Sequence, residues 1–255
     1  MGGKLVKKSR IIMLSVCVLL VVTSICYINM YNKQQKNIEE LNICYELVKE
    51  TIENGFDKER VSDNKAIFKK VLEKGFTEVT LKKSMFYNEH LSFSANNLWS
   101  CPENRMDLNI AHTRDLILAM YLSCVLYNEP ENLTDELEWL KDGIWQIDPT
   151  PEFIHLIATV YNPNKKEIDA LVNAILEFSR TLEHPLDEYH TRAFIYTFVN
   201  EYNENHKDDI YTLKNEENFI KEGIELSKKI DKDDFATIWV GYGKVIRLEN
   251  TTRDS

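Results

Sequence analysis

Residues that make tight turns are scarce in this chain. Only 8 glycines and 6 prolines occur among its 255 residues, too few for the many turns of a multistranded sheet. We therefore expect an all-α protein. Residues 61–248 form a stretch long enough to bury a full hydrophobic core.

Motifs that would name a reaction are also missing. The sequence contains no GxSxG, Walker loop, GxGxxG or kinase signature, so nucleophile-elbow hydrolases and nucleotide-dependent enzymes lack support. The residues that distinguish a known family are not found either. The sequence predicts no cofactor, no metal and no catalytic residue, and it favours a protein that is not an enzyme.

Cysteines are few, and their spacing indicates neither a zinc site nor a disulfide framework. Cys17 and Cys26 lie in an apolar run, which leaves Cys44, Cys101 and Cys124 without any CxxC pair. A disulfide between Cys101 and Cys124 can form in an oxidising compartment, but small buried thiols are the expected state.

One short segment is rich in residue types that bind metals, namely Glu183, His184, Asp187, Glu188 and His190. Pro185 interrupts the segment, and no HExxH or similar spacing is present. A solvated helix start is the expected structure.

Basic residues are outnumbered beyond the amino terminus. Four of the 31 Lys and Arg precede residue 11, so residues 33–255 carry 27 basic and 41 acidic side chains, a formal charge of −14. Nucleic acids and an anionic bilayer surface would both be repelled by such a domain. We predict no nucleic-acid partner.

The chain contains one long apolar run. Residues 11–28, IIMLSVCVLLVVTSICYI, carry no charge, and four basic residues precede them. As a helix, residues 11–31 would extend about 31 Å, which matches the hydrocarbon thickness of a bilayer. The positive-inside rule then predicts a cytoplasmic tail at 1–10, a single transmembrane helix at 11–31 in the cell membrane, and an extracytoplasmic remainder. Thr23 and Ser24 can bond back to the helix backbone.

Three other interpretations of this run compete with a membrane anchor. A cleaved secretory signal would end near Ser24, but residues 25–28 continue the apolar run past that point. Cys26 follows an isoleucine, whereas a lipoprotein signal needs a small residue there. A myristoylation signal at Gly2 needs Ser or Thr at position 6, which is Val in this chain. An uncleaved anchor is favoured, and cleavage near Ser24 stays open.

Apolar residues three or four apart predict the first helices after this run. Residues 37–54 place one apolar stripe on a helix face: Ile38, Leu41, Cys44, Val48 and Ile52. Segment 32–60 is either a stalk that continues the membrane helix or the first packed helix of the domain. Ser62 is expected to cap a second helix, which ends near Gly75.

The same spacing continues along most of the remaining chain. Residues 77–105 are less regular and are expected to form a loop or cap. Further helices are predicted at 109–127, 134–147, 151–161, 165–182, 187–203 and 215–229. Residues 61–248 are therefore interpreted as a helical-hairpin domain, and 249–255 as a disordered tail.

The helical part of the sequence contains a weak internal repeat. Residues 108–114 match 186–192 at four of seven positions, and residues 136–144 match 216–224 with an offset that differs by only two residues. Such a repeat predicts stacked antiparallel helical hairpins, in a solenoid-like array or a partial α/α toroid. The shared Gly143 and Gly223 predict close approach of helix backbones, with a helix end as the alternative.

Two His-Thr-Arg triplets in this repeat are the best candidates for a ligand site. They supply His112, Arg114, His190 and Arg192. If each triplet opens a helix, the arginines and the helix amino-terminal NH groups can bind an anion. The alternative is that these are surface residues paired with Asp115 or Glu188 and preserved by duplication.

Two functions fit the chain as a whole. The first is a membrane-anchored interaction module whose acidic helical array binds a protein, a peptide or an envelope component. The second is a carbohydrate-active enzyme, a glycosidase or lyase of α/α-toroid type, with its sugar groove lined by Trp99, Asp107, Trp139 and Trp145. Packing in the core is the other explanation for these tryptophans.

Overall fold

The computed structural model describes residues 2–89, 91–94, 97–99, 106–141, 151–181 and 185–229. Within these ranges it describes the backbone alone at 2–16, 92–94, 97–99, 106–108, 140–141, 151–152, 185–187, 190 and 227. Within these ranges the protein is all-α apart from one two-stranded antiparallel hairpin, as the scarcity of turn residues predicts. The elements are α1 (Gly2–Asn54), α2 (Val61–Lys74), α3 (Glu78–Lys82), α4 (Met85–Asn88), β1 (Leu91–Ser94), β2 (Asn97–Trp99), α5 (Met106–Asn128), α6 (Leu133–Lys141), α7 (Pro151–His155), α8 (Lys165–Thr181), α9 (Pro185–Asn205) and α10 (Glu216–Ser227). A 3₁₀ turn (Pro130–Asn132) precedes α6, and a π-helical segment (Leu156–Tyr161) continues α7.

Most predicted helices agree with these bounds to within a few residues, but two expectations need correction. Segment 77–105, predicted as a loop or cap, contains α3, α4 and the β1–β2 hairpin. Ser62 does not cap α2, because the helix begins one residue earlier, at Val61. The Ser62 hydroxyl instead accepts a hydrogen bond from Asn128 Nδ2 of α5 at 3.3 Å. Gly75 ends α2 as predicted, with a φ of 61° that favours glycine.

Helix α1 has two halves with opposite surroundings. Large apolar side chains from Val18 to Tyr31 are 50–71% exposed, whereas the predicted stripe is buried in the core from Ile38 to Val48 and partly buried at Ile52. Segment 37–54 is therefore the first packed helix of the domain and not a free stalk. The hydroxyls of Thr23 and Ser24 bond back to the carbonyl of Leu20 at 3.0 and 2.7 Å, as predicted.

The predicted membrane helix 11–31 falls within α1, and its residues 11–16 lie outside the described side chains. Among the residues that the structure describes, no helix combines the length and the apolar character needed to cross a membrane.

The core is organised around α5. Every residue from Asp115 to Leu126 is buried, so this helix is enclosed on all sides, as a helix at the centre of a domain must be. Helix α2 packs along it, and α7 with its π-helical continuation packs on another side. A fully buried Leu or Phe contributes roughly 1.5 to 3 kcal/mol by its removal from water. This central packing fixes the positions of the surrounding helices.

The helices matched by the internal repeat do not pack alike. Helix α6 packs chiefly against α8, whereas α10 packs chiefly against α9, and α8 also packs against α9. Gly223 is buried in the middle of α10, so its position is not a helix end. Gly143, the predicted helix end beyond 141, and the segments 230–248 and 249–255 lie outside the described residues.

Two cysteines are buried in this core. Cys44 and Cys124 are free thiols with no exposed surface, and burial raises the pKa of each to about 12. Such thiols are unreactive at neutral pH. The expectation of small buried thiols is confirmed for these two residues, and Cys101, the other half of the open bridge, lies outside the described residues.

Candidate functional site: a charged groove on α8, α9 and α10

The two His-Thr-Arg triplets lie within helices and not at their starts. His112 is the seventh residue of α5, and His190 is the sixth of α9. The expectation that each triplet opens a helix is therefore wrong, and free amino-terminal NH groups are not beside the arginines. His112 is partly buried. The side chain of His190 is outside the described part of the structure.

The threonines of the triplets have closely similar environments. Thr113 and Thr191 are both buried completely, and within the described ranges neither hydroxyl has a hydrogen-bond partner. A buried hydroxyl without a partner is costly. The same uncommon feature at both matched positions is what a duplicated helix would show.

The two arginines, in contrast, are used differently. Arg114 retains 22% of its side-chain exposure, and its Nε lies 4.0 Å from Asp115. Arg192 has 1% exposure and is bonded on three sides. Its Nε and Nη2 donate to Glu188 Oε1 at 3.1 and 2.6 Å, and its Nη1 donates to the carbonyl of Phe219 at 2.9 Å. The guanidinium also lies 4.8 Å from the centre of the Phe219 ring, in a cation–π contact.

Arg192 is the buried centre of an ionic network that joins three helices. Its Nη2 also donates to Glu222 Oε2 at 2.5 Å. Arg180 of α8 lies nearer the surface and contacts the same two carboxylates, Glu188 at 3.3 Å and Glu222 at 3.4 Å. We call the four residues Arg180, Glu188, Arg192 and Glu222 the Arg192 cluster. Because the guanidinium of Arg192 is bonded to groups of its own chain, its geometry favours a role in positioning Glu188 and Glu222. The predicted anion site stays a prediction.

A surface groove lies directly above this cluster. It has a volume of about 450 Å³, and we call it the α8–α10 groove. Its lining side chains are Arg180, Glu188, Asn218, Lys221, Glu222, Glu225, Leu226 and Lys229. Most of these side chains carry charge, and both signs are equally represented. Pockets for small organic ligands are mostly apolar, so this groove is suited to a polar partner.

The charges of the groove are held in place to different degrees. Glu188 and Glu222 are fixed from below by Arg192. Glu225 accepts a hydrogen bond from Lys228 Nζ at 2.7 Å, which lowers the pKa of the carboxyl. Lys221 and Lys229 are exposed. The groove therefore presents anchored carboxylates beside exposed ammonium groups.

A second ionic network joins α2, α5 and α6. The carboxylate of Glu136, whose side chain is 14% exposed, accepts hydrogen bonds from the Tyr121 hydroxyl and from Lys69 Nζ, the latter at 3.1 Å. Lys65 Nζ lies 3.1 Å from its other oxygen. We call the four residues Lys65, Lys69, Tyr121 and Glu136 the Glu136 cluster.

The charge state of the Glu136 cluster is set by competing effects. Burial by itself raises the pKa of Glu136, but the hydrogen bonds from Tyr121, Lys65 and Lys69 outweigh burial and lower it. The pKa of Tyr121 is raised, first by burial and then by its hydrogen bond to Glu136. Glu136 is thus ionised and Tyr121 protonated near neutral pH, so neither group is ready to transfer a proton there.

Of the four residues predicted to line a sugar groove, Trp139 alone has a described side chain. Trp139 is partly buried, its ring centre lies 5.9 Å from that of Tyr121, and Lys69 Nζ lies 4.6 Å above its face. It therefore belongs to the core beside the Glu136 cluster. The side chains of Trp99 and Asp107, and the whole of Trp145, lie outside the described part.

Across the described ranges, no three His, Cys, Asp or Glu side chains are arranged to hold a metal ion. Of the segment 183–190, the described side chain of Glu188 bonds to Arg192 and Arg180. His184 lies outside the described residues.

Sequence reasoning found Arg192 and, in its alternative interpretation, the partner Glu188, but it missed the contacts with Glu222 and Phe219. Glu188 precedes it by four residues on one helix face, a spacing that signals an ion pair. Glu222 and Phe219 are about one helix and one loop further along the chain, and no local pattern links them to α9. The repeat was the one signal that related α9 to a second helix, and it pointed to α5.

No protein-family model, no curated protein and no solved structure matches this chain.

Proposed function

We propose that this protein is a membrane-anchored, extracytoplasmic interaction module with an array of helical hairpins, in which the α8–α10 groove binds a basic segment of a protein partner. The observation that carries the proposal is the contrast along α1. One continuous helix joins an exposed apolar half to a half that is built into the core. Residues 2–10 carry four basic side chains and lie at the amino-terminal end of the same helix.

The anchor is supported by chemistry along the first half of α1. The uncharged run 11–28 has the length of a bilayer span. From Cys17 onward its side chains are exposed and make no core, and the hydroxyls of Thr23 and Ser24 are satisfied by the helix itself. Satisfied hydroxyls are what a hydrocarbon environment requires.

The binding role is supported by the charges. Residues 33–255 carry a formal charge of −14, which attracts basic partners over a distance of about a Debye length. In the groove, carboxylates held by Arg192 can receive Lys or Arg side chains of such a partner, while Lys221 and Lys229 reject poorly matched sequences. Mixed charges of this kind set specificity and register more than they set affinity.

The carboxyl groups also favour binding over acid–base catalysis. The described carboxyl groups with a shifted pKa are Glu40, Glu129, Glu136, Asp169 and Glu225, and in each the pKa is lowered. A general acid of a glycosidase needs the opposite shift. These groups support ion pairing.

The anchor is tested by membrane fractionation of the full chain, followed by alkaline extraction. We expect the intact chain to stay in the membrane pellet. Leu20→Arg places a charge near the middle of the run at a cost of about 3 kcal/mol and should release much of the protein. Ile43→Arg, at an exposed position on the packed half of α1, is the control and should not. A mature chain that begins at Ile25 or Cys26 would contradict an uncleaved anchor.

The groove is tested by photo-crosslinking in intact cells. A photoreactive residue at Lys221, inside the groove, should give a discrete adduct with one protein, and the same residue at the exposed Lys207 should not. Glu225→Lys should abolish the adduct, whereas Glu204→Lys, an equal charge change on an exposed part of α9, should leave it unchanged. Equal effects of the two charge reversals would contradict the proposal.

A further inference from the structure

A second cavity lies where α1 leaves the core. It has a volume of about 430 Å³ and is formed between α1 and the start of α3. Helix α1 supplies three large side chains, Tyr27, Met30 and Tyr31, each at least half exposed. We call this cavity the collar pocket. Its α1 residues are three or four apart, so they continue the face that is buried in the core further along the helix.

The collar pocket is lined by one lysine and otherwise by uncharged side chains. Among the described residues that line it, Lys33 alone is charged, and no carboxylate is present. The pocket thus differs in charge from the domain as a whole, whose formal charge is −14. It is suited to an anionic group such as a phosphate.

Three further polar residues face the pocket. Gln34 adds an amide. Thr77 and Thr80 share a hydrogen bond between their hydroxyls, 3.1 Å apart, and the Thr77 hydroxyl also accepts from Thr80 N at 3.3 Å. Since one hydroxyl in the shared bond acts as acceptor, its own hydrogen is available to a ligand.

Asn37 supplies a hydrogen-bond acceptor to the pocket, where the lysine and the threonine supply donors. Its Oδ1 is buried and has no hydrogen-bond partner among the described residues, although the residue lines the pocket. A buried acceptor without a partner costs free energy. A ligand that carries a donor, an ammonium or a hydroxyl, would satisfy it.

The pocket also lies at a particular distance from the apolar run. Lys33 is five residues beyond Ile28, which is about 8 Å along a helix. The headgroup region of a bilayer extends about 5 to 8 Å beyond the hydrocarbon on each side. Tyr27 and Tyr31 occupy the positions that aromatic residues take at this interface.

We propose that the collar pocket binds one phospholipid of the outer leaflet whose headgroup carries a hydrogen-bond donor, such as phosphoethanolamine or phosphoglycerol. Lys33 and a threonine hydroxyl hold the phosphate, Asn37 Oδ1 accepts from the headgroup, and the acyl chains lie along the apolar half of α1. This inference rests on the proposed membrane anchor. The net acidity of the domain does not oppose it, because the contact is made at one locally basic site.

The test uses the full chain in nanodiscs of phosphatidylcholine that contain a minority of phosphatidylethanolamine or phosphatidylglycerol, with native mass spectrometry as readout. We expect one retained lipid of a minority type. Lys33→Gln should reduce its retention about tenfold, the effect of losing one charge-assisted hydrogen bond. Lys36→Gln, an exposed lysine of the same helix outside the pocket, should have no effect. Asn37→Leu should remove the preference over phosphatidylcholine.

Each remaining outcome decides against the inference in a different way. Equal losses in Lys33→Gln and Lys36→Gln would show general attraction to the membrane surface and no pocket. Displacement of the lipid by inorganic phosphate or glycerol phosphate would reassign the pocket to a water-borne ligand. If alkaline extraction leaves the chain in the membrane while Lys33→Gln retains lipid like the wild type, the inference fails and the anchor stands. Release of the wild-type chain would overturn both.

Discussion

The two ionic clusters of this protein are built in opposite ways. In the Glu136 cluster a carboxylate is central and two lysines and a tyrosine surround it. In the Arg192 cluster a guanidinium is central and two glutamates surround it, with Arg180 outside. Both join neighbouring helices. They differ in the charge of the central group, and that difference sets how the central group responds to pH.

The difference follows from the chemistry of the central group. A guanidinium keeps its charge at any accessible pH and offers five donors, so Arg192 can be enclosed almost completely. A carboxylate loses its charge in acid. The central charge of the Arg192 cluster therefore persists in acid, whereas the central charge of the Glu136 cluster is lost there.

The largest effect is expected at Arg192. Arg192→Leu leaves Glu188, Glu222 and the Phe219 carbonyl without their shared donor, and removal of one side of a buried ion pair costs about 3 kcal/mol or more. The free energy of unfolding from urea titration measures it. Arg114→Leu is the matched control, since its contact with Asp115 is 4.0 Å long and the side chain is partly exposed; about 1 kcal/mol or less is expected. Equal losses would show that the two triplets are equivalent after all.

A smaller and pH-dependent effect is expected at Glu136. Glu136→Gln keeps the size of the side chain but loses its charge, at a cost of about 2 kcal/mol near neutral pH. Because the folded pKa of Glu136 lies below the ordinary value of 4.5, the stability contributed by its charge is complete above that value and is lost as the pH falls through the folded pKa. The stability gap between wild type and variant should therefore close in acid.

Urea titrations of both proteins from neutral to acidic pH provide the measurement. Glu138→Gln, a neighbouring exposed glutamate of α6, should show no such gap. A gap that persists unchanged in acid would mean that the charge of Glu136 does not stabilise the fold.

The smallest effect is expected at the matched threonines and has the opposite sign. Thr113→Val and Thr191→Val each remove a buried hydroxyl that lacks a partner in the described structure, so each should raise the free energy of unfolding by about 1 kcal/mol. Thr197→Val is the control on α9, because its hydroxyl donates to the Ala193 carbonyl at 2.9 Å and its loss brings no gain. A destabilised Thr113 or Thr191 variant would reveal a partner for that hydroxyl.

Much of the fold could be predicted from sequence because helices leave a local signal. The apolar spacing in α5, α8 and α9 sets their bounds to within a few residues, and Gly75 ends α2 as expected. The prediction for Ser62 was wrong because α2 begins two residues earlier than a cap at Ser62 requires, and its N-cap residue, Arg60, makes no side-chain capping bond. The short helices and strands of segment 77–105 were not predicted, because elements of three to five residues are too short to show the apolar spacing of a helix or a strand.

The candidate site was predictable only where its contacts are local. The pair Glu188–Arg192 is one helical turn apart and visible in the sequence, whereas Glu222 reaches Arg192 only because α10 packs on α9. The Glu136 cluster was missed for the same reason, since Lys65 and Glu136 come from helices that are far apart in the chain. The repeat matches two threonines whose surroundings are alike and two arginines whose surroundings differ. The arginines differ because α10 packs against α9, whereas α6 packs chiefly against α8.

The uninterrupted course of α1 has a geometric consequence. With no break from Gly2 to Asn54, the rotation of its outer half is fixed by the half in the core. One alanine inserted between Gln35 and Lys36 would turn everything before it by about 100° and move Tyr27 and Tyr31 away from Thr77, with the core untouched. Seven inserted residues would return the same face to within about 20° but about 10 Å further out. The phase of this single helix therefore sets which side of the domain lies beside the exposed tyrosines of its first half.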